Sequence, residues 1–193
     1  SITVANPCDS IAFPYTLSGA DNAALRANLI AAIQCANTNG TADVIEFGGQ
    51  TITLTDAFAD YSGATGLPQV TTNLTLRNGT LTRSGSNLFR ILSVSSAGSL
   101  TLRNVTISNG GGAGYASLGA ALHNLGTARV IGSSLSNNSG NRAVAIYSTN
   151  TLMVANSTIS GNSASQYNAI LEMSGTASIA NSVITGNRST TSD

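Results

Sequence analysis

From Asn73 onward the chain repeats itself every 24–28 residues, and this period decides what it can fold into. The segments open with NLTLRNGTLTRSG, SLTLRNVTISNGG, TARVIGSSLSNNS, TLMVANSTISGNS and TASIANSVITGNR. Corresponding residues Asn78, Asn104, Gly132, Asn156 and Asn181 stand 26, 28, 24 and 25 residues apart. Within a segment the apolar residues alternate with a period of two, which belongs to a strand and not to a helix. Leu76, Leu102, Val130, Val154 and Ile179 make one inward column; Leu81, Ile107, Leu135, Ile159 and Ile184 make a second. Val94, Leu122, Ile146 and Leu171 make a third. Short strands with one apolar face cannot bury it as a flat sheet. Coiling buries it, with each rung hydrogen-bonded to the next about 4.8 Å away. The pattern predicts an all-β parallel β-helix, a solenoid. One domain is expected, with a cap and the first rungs over 1–72 and repeat rungs over 73–193.

The corner positions explain their own residues. Asn tolerates the left-handed backbone of a tight turn, and stacked Asn amides can pass hydrogen bonds from rung to rung. Gly132 supplies the same backbone freedom without an amide. One helix is predicted over residues 22–37, with Asp21 or Asn22 as N-cap and Gly40 as the stop. Leu25, Leu29, Ile33 and Ala36 form its apolar side, placed to cover the N-terminal end of the solenoid. Residues 56–66 read as a loop. At the far end, 176–193 supply only the first part of a rung and no visible cap. A bare rung invites edge pairing, so we expect self-association through it or a continuation in a longer precursor.

Ser, Thr, Asn and Gly make up 89 of the 193 residues, which fits either a disordered tract or a turn-rich repeat. A hydrophobic content of 41% argues against disorder. The net charge is zero, and every cation is Arg. Without Lys there is no P-loop and no Schiff base, and one His with two Cys seldom makes a zinc site. No basic footprint for nucleic acid is present. No apolar run approaches the roughly 18 residues of a membrane span. We expect no cofactor, no nucleic-acid partner and no transmembrane segment.

Cys8 and Cys35 form an even pair, read either as one disulfide or as two reduced thiols. The absence of Lys and the low charge favour secretion and the disulfide. Closing a loop of about 28 residues would stabilise the fold by roughly 3–4 kcal/mol. The chain starts at Ser1; an exported protein would already have lost its signal peptide.

The strings NSTISGN (156–162), NSVITGN (181–187) and LTLRNVTISNG (100–110) resemble bacterial surface β-helix repeats of the polymorphic outer-membrane-protein type. The start, ITV…ALRANLIAAIQCAN…ADVIEF, is similar to the CSLREA-type cap region that often precedes such repeats. It departs from that region at Ala23 and Ala24, which replace Cys-Ser, and at Asn28, which stands near the acidic residue. The resemblance implies an exported, right-handed β-helix, a passenger or surface protein without enzymatic activity.

Many β-helices cleave polysaccharides, using clustered carboxylates as an acid/base pair or as calcium ligands. Between Asp60 and Glu172 this chain has neither Asp nor Glu, so its rungs lack that chemistry. Asp9, Asp21, Asp43, Glu46, Asp56 and Asp60 fall in or near the cap, where N-capping and turns account for them. A Ser-His-Asp triad would need His123, which has no acid near it in sequence. His123 aligns with Tyr147 and Glu172 in an outward column, read as ordinary surface. We expect no catalytic and no metal-binding residue.

Two outward columns remain: Thr80, Thr106, Ser134, Thr158, Val183 and Thr82, Ser108, Ser136, Ser160, Thr185. This hydroxyl-rich face resembles that of ice-binding β-solenoids, although any exposed strand favours such residues. Arg77 and Arg103 hold equivalent positions on adjacent rungs, with Arg83, Arg90, Arg129 and Arg142 in the same acid-free stretch. They would attract an anionic glycan or an acidic protein surface, with solvated surface Arg as the plainer reading. Arg77, Arg103, Thr80, Thr82, Thr106 and Thr158 are the candidate surface-binding residues. The expected function is a rigid extracellular rod, structural or adhesive, self-assembling end to end into fibres. The alternatives are a carbohydrate-binding or carbohydrate-cleaving β-helix and, behind those, an ice-binding solenoid. A second copy and a cell-surface glycan or protein are the expected partners.

Overall fold

A computed structural model describes residues 7–112, 118–165 and 171–189. Asp21 is the N-cap: its Oδ1 accepts from the Ala24 amide at 2.9 Å, and the helix runs Asn22–Asn39. Gly40 ends it at φ 71°, in the left-handed region. The expected apolar side is buried, with Ala32 and Cys35 added to it. This side packs on the strands Ala42–Glu46, Thr51–Leu54 and Asn73–Arg83. Cys8 and Cys35 form a disulfide, Cα atoms 5.4 Å apart, that ties the segment before the helix to its buried side.

Two side-chain amides lace the helix to the chain beside it. Asn22 donates to the Thr53 carbonyl at 2.8 Å and accepts from the Thr53 amide at 2.7 Å. Asn37 does the same around Gln69 and Thr71, at 2.8 and 2.9 Å. Backbone groups left unpaired at a sheet edge are thus satisfied by the cap.

Apart from one short hairpin, the strands pair in parallel from rung to rung. Tyr15–Thr16, Ala42–Glu46, Asn73–Arg83, Ser99–Ser108, Thr127–Ile131, Thr151–Ala155 and Ala177–Ala180 follow one another across the main sheet. A second row holds Leu92–Val94, Leu122–Asn124, Ile146–Ser148 and Leu171–Met173. A third holds Ser139–Gly140, Ser163–Ala164 and Arg188–Ser189. The molecule is mostly β, with parallel sheets arranged as a β-helix-like solenoid. Its core runs without a break from Leu17 and the helix to Ile159.

The first two inward columns keep the expected register, Leu76 through Ile179 and Leu81 through Ile184. The third column is shifted. Leu92, not Val94, opposes Leu122, and Val94 opposes Asn124. Leu92 and Val94 are both buried, so period-two alternation could not choose between registers two residues apart.

The loop expected over 56–66 contains a hairpin. Ala59–Asp60 pairs antiparallel with Ala64–Thr65, and the turn passes through Ser62 at φ 57°. Strands of two residues are too short to show alternation in a sequence. Thr65 then bridges to Arg90, which attaches the hairpin to the next rung.

Candidate functional site

Five of the seven residues in the repeated string NSTISGN have a structural duty. Asn156 makes a corner at φ 51°, as do Asn78, Asn104, Gly132 and Asn181 at 60°, 53°, 59° and 49°. The Ser157 hydroxyl donates to the Ala155 carbonyl at 2.8 Å and accepts from the Ser133 amide of the preceding rung at 3.1 Å. Ser133 and Ser182 act alike toward Val105 and Ser157. Ile159 enters the core, and Gly161 makes a second corner at φ 64°. Asn162 then turns inward and is wholly buried, like Asn138. The expected corner ladder is short: Asn104 Nδ2 donates to Asn78 Oδ1 at 3.1 Å, and Asn78 Nδ2 to Glu46 Oε2 at 2.9 Å. A second, inner ladder of Asn138, Asn162 and Asn187 is not predicted by the turn preference of Asn, which points only to the outer corners.

The acid-free stretch is not a free cationic face. Glu46 lies opposite Arg77 one rung away, and Arg77 Nε stands 2.6 Å from Glu46 Oε2. Burial pulls the Glu46 pKa up, but the Gly48 amide, Asn78 and Arg77 outweigh it and hold the carboxyl below its ordinary value. Arg83 donates to the carbonyls of Asn109, Gly85 and Asn87 at 2.7–2.8 Å. Arg90 is 1% exposed and donates from Nη2 to the Ser62 carbonyl at 2.6 Å. Acids counted along the chain say little about acids one rung away in space. Arg103, in register with Arg77, and Arg129 remain exposed.

The hydroxyl columns stack as expected, and Thr51 and Thr53 extend them opposite Thr80 and Thr82. Thr80, Thr106 and Thr158 are half-buried. The Thr82 hydroxyl accepts from Ser108 and from Asn109 Nδ2, both at 3.0 Å.

His123 keeps its register with Tyr147 and is not on the surface: it is 5% exposed. Tyr147 stacks on it with ring centres 5.3 Å apart. On its other flank Ser93, also buried, accepts from Gln69 Nε2 at 3.0 Å. Burial, helped by the charge of Arg90, lowers the His123 pKa to about 4. Its Nδ1 has no partner among the described residues, so no carboxylate orients it as a triad would require. Arg90 also leaves Nε and Nη1 unpaired there; burial lowers its pKa to about 10, with Asp60 opposing.

Two clefts meet at the hairpin. One, of about 450 Å³, lies between Gln34, Asn37 and Thr38 of the helix and Phe58 and Tyr61 of the hairpin. The other, of about 440 Å³, runs from Asp60 and Tyr61 to Ser95, Ser96 and Leu125. Tyr61 and Gln69 line both, so the two clefts adjoin along that wall. No protein-family model, curated protein or solved structure matches the chain. Geometry and chemistry therefore carry the functional argument. Among the described residues no group of three or more His, Cys, Asp or Glu is placed to hold a metal ion. Nor is any described helix long and apolar enough to cross a membrane.

Proposed function

We propose that the chain is a right-handed parallel β-helix serving outside a bacterial cell as a non-enzymatic structural or adhesive rod. The observation that carries this reading is how completely architecture uses the repeat. In NSTISGN, corner, hydroxyl bridge, core residue, second corner and buried amide leave only the two outward side chains free for other work. The likeness of these strings to bacterial surface repeats supports the same location, and the Cys8–Cys35 disulfide fits an oxidising compartment.

Ile179, Val183 and Ile184 of the last described rung are 40%, 55% and 47% exposed, whereas Val154 and Ile159 of the rung before are fully buried. A second copy laying the same rung against this one would cover them. Contact through this rung is the proposed self-association, the step from which end-to-end assembly into fibres would start. Light scattering on the purified chain should give a mass above that of one chain; a monomer overturns the self-association. Antibody staining of intact producing cells should succeed without permeabilisation. Staining only after permeabilisation overturns the surface location.

A further inference from the structure

We infer that the groove between the helix and the hairpin binds a neutral oligosaccharide. Sugar recognition needs flat apolar surface for the C–H faces of the rings and fixed polar groups for the hydroxyls. Phe58 and Tyr61 supply the first, in a chain with 4 Phe, 5 Tyr and no Trp. Phe58 is 36% exposed and stands outside the hydrophobic core cluster.

Polar groups along the shared wall are fixed and partly unspent. Asp60 Oδ1 accepts from the Gly63 amide at 2.7 Å, which leaves its second oxygen for a ligand hydroxyl. Gln69 commits Nε2 to Ser93 and keeps its carbonyl oxygen. Ser96, exposed on the second cleft, adds a hydroxyl. Both walls are braced: Arg90 grips the Ser62 carbonyl behind the hairpin, and Asn37 ties the helix to the groove floor at Gln69 and Thr71. A groove held open in this way loses little entropy on binding.

Charge selects the kind of sugar. Among the described residues lining the two clefts, Asp60 alone is charged. A uronate chain would set its carboxylates beside Asp60, whereas a neutral sugar donates hydroxyls to it. This ligand goes beyond the rod reading and does not depend on it. The groove is tested on the purified chain, so its failure and a failure of surface location are told apart.

The test is a glycan array of neutral and uronate oligosaccharides, followed by calorimetric titration of the best neutral hit. Wild type is compared with Phe58→Ala, Tyr61→Ala and Asp60→Asn, with Ser139→Ala, exposed in a strand that lines neither cleft, as control. A neutral oligosaccharide should bind, each ring deletion should weaken it about tenfold or more, and the control should match wild type. Asp60→Asn keeps the side-chain shape, and a severalfold loss there decides the matter should a ring deletion fail to fold. Absence of any neutral hit, tighter binding of a uronate, or full affinity in the folded variants overturns the inference.

Discussion

Asn138 donates its side-chain Nδ2 to Oδ1 of Asn162 at 2.9 Å, and both residues are wholly buried one rung apart. The same oxygen takes the Asn138 backbone amide at 2.9 Å. Asn162 repeats the arrangement toward Asn187, and its Nδ2 also reaches the Leu135 carbonyl at 3.0 Å. At this corner each side-chain amide satisfies the backbone of two rungs.

Asn162→Ala removes the acceptor of two Asn138 donors, the backbone amide and Nδ2, and one donor to the Leu135 carbonyl. At about 1–3 kcal/mol for each buried orphan, the loss should be about 3 kcal/mol or more. Urea unfolding monitored by circular dichroism measures it. A loss below about 1 kcal/mol would show that the corner admits water.

Gly132 interrupts the outer ladder. A Cβ there would come within 2.6 Å of Asn104 Oδ1, the tip of a flexible side chain, and meet the rest of Asn104 at ordinary contact distance. Asn104 itself shows how an Asn fits such a corner, by donating to Asn78. Gly132→Asn should therefore be neutral or stabilising by up to about 1 kcal/mol. Gly132→Val puts a β-branched residue at φ 59° and should cost at least about 1–2 kcal/mol. Thermal unfolding ranks the two; a valine variant as stable as the asparagine variant contradicts this account.

The buried His123 makes stability depend on acid. Its folded pKa, about 4, lies below the ordinary 6.5, so the unfolded chain binds the proton more readily. Stability should be full above about pH 6.5, fall as the pH drops toward 4, and flatten below that. His123→Phe keeps a ring beside Tyr147 and removes the proton site. The difference in melting temperature between variant and wild type, plotted from pH 7 to 4, should follow that curve. A flat difference would mean that His123 is solvated.

Much of this fold is legible in the sequence because a repeat states the same geometry several times. Leu81, Ile107, Leu135, Ile159 and Ile184 identify one another by spacing, and Asp21 and Gly40 mark both ends of the helix. The hairpin at Ala59–Thr65 occurs once, so nothing else in the chain reports on it. The groove was hidden for the same reason. Its lining comes from residues 34–38, 58–71 and 95–125, which no spacing rule connects.

By itself the sequence determined the period, the strand alternation, the left-handed corners and the helix that covers the first rungs. These follow from local chemistry: side-chain alternation, the backbone tolerance of Asn and Gly, and an N-cap carboxylate. Only the tertiary structure decided which side chains are spent. Stacking put Glu46 against Arg77, sank His123 beneath its neighbours and folded the Asn162 amide inward. Such outcomes depend on what lies one rung away, a distance of about 4.8 Å in space and some 25 residues along the chain.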